Sequence, residues 1–295
     1  MPQPRPRGAQ TTLVLAHRGS ADPEQGVREN SLEAFDLAAE LGADGVELDV
    51  RRTADGHLVV HHDALVPVPD GWAPGSRSVE SRPHPVTGEV ASGLRIETTR
   101  RHLLPAWLPG LDEALSLCLQ AGLFVNVEVK SEAGGPSVDP GQLCARSTAA
   151  ACAAVPAGAA IVISSFSVPA LQAARATAPE AALAWLFEPR TPLAAGDGGQ
   201  PVSWPAVAAG LSGGGPLQAL AELDLEGLHP YYRLASETLV AGAHEFGLAV
   251  RTWTVDRAER IAANAAAGVD AVITNDVAGA LAVLGRSRPG RPLQA

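Results

Sequence analysis

Short apolar runs rich in β-branched residues alternate with amphipathic stretches along the chain. The run Leu13–Ala16 is followed by a helical pattern from Ser31 to Leu41, with Ser31 placed as its cap and Leu32, Phe35, Leu37 and Leu41 near one face. Strand patterns follow at Gly45–Val50 and Leu58–His61, then a helical pattern over Leu111–Gln120 with Asp112 and Glu113 in its first turn, where carboxylates suit the helix dipole. Phe124–Lys130 alternates strictly and precedes a helical stretch, Gln142–Ala154. Strands at Ala160–Ser164, Ala182–Phe187, Leu225–His229, Leu248–Thr254 and Asp270–Thr274 are read next. Helical patterns at Val168–Thr177, Ser236–Phe246, Arg257–Ala267 and Val277–Leu284 separate them, and a loose Gly/Pro-rich stretch follows Ala182–Phe187. With Leu58–His61 counted as an extension of the second unit, the pattern gives eight βα units. That predicts an α/β chain folded as a (β/α)8 TIM barrel. A doubly wound sheet is the runner-up, but no glycine-rich dinucleotide turn follows the first strand.

Two segments break the rhythm. Residues 64–106, rich in Pro, Gly, Ser and Arg, are read as an insertion after the second strand, and residues 189–216 as a second irregular stretch. Residues 1–295 are read as one domain with flexible termini at 1–12 and 286–295. Three cysteines without metal-ligand spacing (Cys118, Cys144 and Cys152) read as reduced structural thiols. No secretory pattern and no apolar run long enough to span a bilayer are found, so the expectation is a cytoplasmic protein without stable membrane insertion. The net charge of −10 disfavours nucleic acid as a partner, while a small phosphorylated ligand stays compatible because a metal or a few cations can reverse the field in a pocket. Whether the chain forms a homo-oligomer is left open.

In a barrel of this class the chemistry lies at the C-terminal ends of the strands. The first strand ends in His17-Arg18-Gly19. The second places Glu47 and Asp49 two apart, on one face. The third carries Asn126, Glu128 and Lys130 on one face, and Lys130 is the only lysine in the chain. A half-exposed antiparallel strand would show the same alternation. Inside a parallel barrel neither face meets water, so inward carboxylates need pairing or a cation. Glu47, Asp49 and Glu128 form an oxygen-ligand set suited to Ca²⁺ or Mg²⁺ more than to zinc. Arg18 and Lys130 can neutralise a phosphodiester, and His17 and His62 titrate in the range needed for proton transfer. His61, on the opposite side of the strand alternation, reads as structural.

The segments LAHRGS (15–20), RENSLEAF (28–35), GADGVELDV (42–50) and TADGHLVVHHD (53–63) resemble the signature of glycerophosphodiester phosphodiesterases. FVNVEVK (124–130), ISSFS (163–167), RTWTVD (251–256) and GVDAVITND (268–276) continue it in order over nearly the whole chain. The resemblance implies a TIM barrel that hydrolyses glycerophosphodiesters to glycerol 3-phosphate and an alcohol. It implies His17 and His62 as the acid/base pair, Arg18 as phosphate ligand, and Glu47, Asp49 and Glu128 as ligands for Ca²⁺ or Mg²⁺. It further implies Lys130 as a phosphate-side cation, Trp253 as a wall of the substrate pocket, and Glu29 as a support for His17 or Arg18. Arg28 stands where the family has proline and Ser31 where it has threonine, and no Arg-Thr-Thr run follows His62-Asp63. These departures leave the leaving alcohol open. A lysophospholipase D-like or other small phosphodiester substrate on the same site is the alternative, and a phosphoester-binding protein without turnover is a third reading.

Overall fold

The eight parallel strands close on themselves because each apolar run feeds an amphipathic helix that returns the chain to the other end of the sheet. The structure is a computed structural model and describes residues 11–67, 80–83, 90–130, 142–189 and 202–286. In chain order the elements begin with β1 (Leu13–His17), α1 (Leu32–Leu41), β2 (Gly45–Arg52), β3 (Leu58–Val60), β4 (Leu65–Pro67), β5 (Glu80–Pro83) and β6 (Val90–Arg95). They continue with α2 (Leu111–Gln120), β7 (Phe124–Val129), α3 (Leu143–Ala153), β8 (Ile161–Ser165), α4 (Val168–Thr177) and β9 (Leu183–Phe187). The last are α5 (Trp204–Leu211), β10 (Gly227–Pro230), α6 (Glu237–Glu245), β11 (Ala249–Thr252), α7 (Ala258–Ala266), β12 (Ala271–Thr274) and α8 (Val277–Val283). The barrel runs β1-β2-β7-β8-β9-β10-β11-β12 and closes back onto β1.

Local chemistry sets the helix starts. The Ser31, Ser167 and Ser236 hydroxyls accept from the N–H three residues on, as does the Asp276 carboxylate. At α2 the Glu113 carboxylate accepts from the Gly110 N–H at 2.8 Å. Between barrel and helices lies the main core, including Phe35, Leu48, Leu171, Leu183 and Trp185. Each such side chain contributes about 1.5–3 kcal/mol by leaving water.

The register also orders the barrel interior. With the stagger usual for eight strands, about one residue per strand, inward side chains stack in layers from alternate strands. Glu47, Ser164, His229 and Ile273 make one layer. Beneath it lie Leu15, Asn126, Ala184 and Arg251. Above it, toward the C-terminal mouth, lie His17, Glu128, Leu186 and Trp253. The lower end is filled by Arg251, which makes two hydrogen bonds to Glu226 (2.7 and 2.8 Å) and stacks 4.8 Å over the Phe124 ring.

Several expectations change. β3 pairs antiparallel with β2, so Leu58–His61 is the return arm of a hairpin and not a continuation of a barrel strand. The insertion folds back as a small antiparallel sheet, β4-β6-β5, over a separate cluster of Val59, Val66, Leu94, Ile96, Leu104 and Leu108. Residues 68–79 and 84–89 of it, Trp72 among them, lie outside the described residues. The irregular stretch at 189–216 contains α5. Pro205 occupies its first turn, where no N–H is needed, and a Cβ at Gly210 would strike Leu217. At the expected flexible termini, Thr12 is buried with its hydroxyl donating to the Val269 carbonyl, and Arg286 grips the Asp44 carboxylate at 2.6 and 2.7 Å. Residues 1–10 and 287–295 lie outside the described residues. Asp44 also accepts from the Val14 N–H at 2.7 Å and so ties β1, β2 and the end of α8 together. Cys118 and Cys152 are free, with burial pushing their thiols up to about 12, while the buried Cys144 thiol donates to the Val50 carbonyl at 3.8 Å.

Two outcomes follow for stability. A Cβ at Gly45 would collide with the Phe124 carbonyl oxygen and lie 2.9 Å from Leu15 Cδ2, so Gly45→Ala should destabilise by about 1–3 kcal/mol in denaturant unfolding. A loss below about 0.5 kcal/mol would show that the lower end of the barrel can spread. At the β2–β3 turn, hydrogen bonds from the Thr53 hydroxyl and the Arg101 N–H hold the exposed Asp55 carboxyl at about 2, below its ordinary 3.8. A depressed carboxyl contributes stability above its unfolded value and loses it as pH falls through the folded one. Asp55→Asn should therefore flatten the stability profile between about pH 4 and 2, and an unchanged profile would remove Asp55 as its cause.

Candidate active site

At the mouth of the barrel the chain makes an unusual turn. Arg18 and Gly19 both take left-handed backbone (φ 57° and 76°), and a Cβ at Gly19 would come within 2.8 Å of the Ala34 backbone. The turn aims the Arg18 N–H at Glu47 Oε2 (3.1 Å), and the Asn30 N–H, itself on left-handed backbone, closes onto the Arg18 carbonyl at 2.8 Å. A non-glycine residue in this region is costly and persists where its surroundings over-determine it.

Glu47 and Asp49 point inward from β2, and Glu128 from the neighbouring β7, where Asp49 and Glu128 are registered partners. One oxygen from each of the three lies within 4.8 Å of the others. Glu47 and Asp49 are 3% and 1% exposed, so water does not screen their repulsion. Two cations answer it. Lys130 Nζ lies 2.7 Å from Glu128 Oε1 and 3.4 Å from Asp49 Oδ1. Arg18 Nε lies 3.2 Å from Asp49 Oδ2, while its Nη1 donates to Glu29 Oε1 at 2.9 Å. Asn30 clamps Asp49 from the third side, donating through Nδ2 at 2.8 Å and accepting the Asp49 N–H at 3.2 Å.

This partition splits the carboxylates. Burial raises the Asp49 carboxyl, but Lys130 and Arg18 outweigh it and hold the group at about 2. Glu47 is pushed well above the usual carboxylate range, by burial first and then by the charges of Asp49 and Glu128. Its Oε1 is buried without a hydrogen-bond partner among the described residues. An orphaned, strongly basic oxygen beside two further carboxylates fits a hard divalent cation, and the all-oxygen set fits Ca²⁺ or Mg²⁺ chemistry.

The histidines flank this group. His17 Nδ1 lies 2.8 Å from Asn275 Oδ1, with Nε2 at 4.0 Å from Glu47 Oε2. Burial, then the neighbouring Arg18, lowers its proton affinity. His62 sits past β3 with Nδ1 2.8 Å from Asp63 Oδ1 and its carbonyl accepting from Arg51 Nε at 2.9 Å. The backbone of its neighbour His61 is bonded to that of Asp49, which brings His62 to the same mouth. His61 packs edge-on against Trp107 and donates its backbone N–H to the Asp49 carbonyl at 2.9 Å, consistent with a structural part. Trp253 lies just past β11, its indole N–H donating to the His229 carbonyl at 2.8 Å, and it meets Phe166 and Tyr231 edge-on at 5.3 and 5.6 Å. The mouth thus has an ionic half and an aromatic half.

All nine residues singled out in the sequence lie around this mouth, and Glu29 falls beside Arg18, not His17. The sequence reading missed the parts of Asn30, Asn275 and Asp256. Asn30 lay inside a quoted segment, and Asn275 stood at a strand end where polar residues are informative. Asp256 closes another quoted segment, RTWTVD, but nothing local showed its part, because its partners lie past the next strand.

Residues 17–278 match the model of the glycerophosphoryl diester phosphodiesterase family. The chain is 31% identical to a glycerophosphodiester phosphodiesterase of Caldanaerobacter subterraneus over 265 residues, 90% of this chain and 94% of that protein. A phosphodiesterase of Oleispira antarctica, solved in complex with its product sn-glycerol-3-phosphate, superposes with a TM-score of 0.67 at 22% identity, over 93% of this chain and 97% of that one. A glycerophosphodiester phosphodiesterase from Parabacteroides distasonis also gives a TM-score of 0.67 at 22% identity, over 94% and 98% of the two chains. At these identities the solved structures establish likeness of fold.

The electrostatics give a test that needs no substrate. Glu47→Gln replaces a buried carboxyl whose charged form burial and its neighbours disfavour, so in cation-free buffer its melting temperature should match or exceed that of the unmodified protein. Ca²⁺ or Mg²⁺ at about a hundredfold above its dissociation constant should stabilise the unmodified protein by roughly 2.7 kcal/mol and the variant by much less. Equal stabilisation of both by cation would move the metal away from Glu47.

Proposed function

The chain belongs to the glycerophosphoryl diester phosphodiesterase family, and we propose that it hydrolyses glycerophosphodiesters to glycerol 3-phosphate and an alcohol at this mouth. The observation that carries the reading is the convergence of three carboxylates, two fixed cations and two histidines on one strand-end surface. A phosphodiester carries one negative charge that spreads over its oxygens as water attacks phosphorus. Arg18 and Lys130 supply preorganised positive charge for those oxygens. Glu29 orients the Arg18 fork, and the carboxylates around Lys130 keep it protonated, against the effect of burial.

Glu47, Asp49 and Glu128 would hold a divalent cation, which supplies Lewis-acid neutralisation of phosphoryl charge when bound. His17, kept neutral by burial and by Arg18, takes a proton from the attacking water at Nε2. His62, oriented through Nδ1 by Asp63, gives a proton to the departing alkoxide. Trp253, with Phe166 and Tyr231, offers an apolar wall for the carbon skeleton of the substrate.

The test is release of glycerol 3-phosphate from glycerophosphocholine and glycerophosphoethanolamine with Ca²⁺, with Mg²⁺ and with chelator. Release should require cation and stop with chelator, and the pair of substrates ranks the alcohols. Cleavage of lysophosphatidylcholine in place of both would move the substrate to the lysophospholipase D class on the same site. His17→Ala and His62→Ala should each lower kcat by about 10²–10⁴-fold with unchanged melting behaviour, and near-normal rates in both would sink the two-histidine scheme.

A further inference from the structure

His17 reaches beyond its own strand to a polar staple that the reaction as described does not use. β1 lies beside β12, and Ala16 is registered with Thr274, so the residue after β12 faces the His17 ring. That residue is Asn275, whose Oδ1 lies 2.8 Å from His17 Nδ1. Three donors from this segment converge on one carboxylate in the loop after β11. The Asn275 N–H and the Thr274 hydroxyl reach Asp256 Oδ1 at 2.8 and 3.2 Å, and Asn275 Nδ2 reaches Oδ2 at 2.9 Å. The Thr274 hydroxyl accepts from the Asp276 N–H at 3.0 Å, and the Asp276 carboxylate caps α8 through the Gly279 N–H at 2.8 Å. The segment is fixed at both ends.

A carboxylate only accepts, so the edge of the Asn275 amide that faces Asp256 is its NH₂. The carbonyl edge then faces His17, and a carbonyl also only accepts. The proton on the His17–Asn275 bond therefore belongs to His17 Nδ1. We propose that Asp256, acting through the Asn275 amide, is a positioning residue that holds His17 as the Nδ1–H tautomer with the Nε2 lone pair turned to the mouth. This rests on the reading of His17 as a proton acceptor in hydrolysis. An intervening amide suits the site better than a carboxylate touching the ring, because His17 Nε2 already lies 4.0 Å from Glu47. Asn275 transmits the orientation set by Asp256 without bringing its charge to the histidine.

The tautomer can be read directly from ¹⁵N-histidine NMR, with the His17 signals assigned by their loss in His17→Gln. The unmodified protein should show the neutral ring protonated at Nδ1. In Asp256→Asn the new amide can turn its NH₂ edge to Asn275, which reverses the Asn275 amide and shifts His17 toward Nε2–H. kcat should fall by about 10²-fold while KM stays within about twofold. Asn275→Ala removes the acceptor altogether and should abolish the tautomer preference with a similar loss in kcat, and melting temperatures separate these effects from loss of fold. A His17 protonated at Nε2 in the unmodified protein, or a tautomer unchanged in both folded variants, overturns the proposal. An Nδ1–H ring in a protein that cleaves no phosphodiester would support the tautomer assignment and overturn the reaction instead.

Discussion

Three carboxylate oxygens held within 4.8 Å of one another, two of the side chains almost completely buried, set the terms for the rest of the mouth. Left alone, such a group would repel itself at a cost of several kcal/mol. The surrounding chain is arranged to meet that cost. The left-handed turn at Arg18 and Gly19 brings both a backbone N–H to Glu47 and a guanidinium to Asp49. Lys130 bridges Asp49 and Glu128, and Asn30 uses both ends of its amide on Asp49. The compensation is uneven, and that unevenness is chemically useful. Asp49 is fully ionised, while Glu47 retains an unpartnered oxygen of raised basicity.

The barrel makes this arrangement rigid by filling what lies beneath it. Leu15, Ala271 and Ile273 pack inside the barrel, and Arg251 with Glu226 and Phe124 occupies its lower end. Gly45 and Gly227 are small where they must be, the first against Phe124 and the second against Arg251. The small sheet of the insertion stands over a core of its own, and Arg51 joins it to the barrel by pairing with Glu97 at 2.6 Å and binding the His62 carbonyl. The position of His62 therefore depends on packing outside the barrel proper, unlike that of His17.

Much of the site was legible because a barrel strand converts sequence period directly into geometry. Glu47 with Asp49, and Asn126 with Glu128, share a face by period two alone. The buried setting then follows once eight βα units are counted. The helix starts at Ser31 and Ser236 were equally local. Other features were hidden for physical reasons. Pro205 and Gly210 look like breakers, yet one sits in a first helical turn and the other gives Leu217 its close approach. β5 and β6 have no apolar alternation, so their pairing depends on backbone hydrogen bonds that leave no compositional trace.

The sequence by itself determined the alternation of strands and helices, the inward carboxylates, and the identity of the groups able to hold a phosphodiester. These follow from short-range periodicity and from the cost of burying charge. Tertiary structure decided which of those groups touch. Closure of β1 against β12 carries Asn275 to His17 across 258 positions, and Arg286 to Asp44 across 242. No local pattern encodes such pairs, because hydrogen bonds of 2.6–2.8 Å depend on the stagger with which the barrel closes. That stagger belongs to all eight strands together.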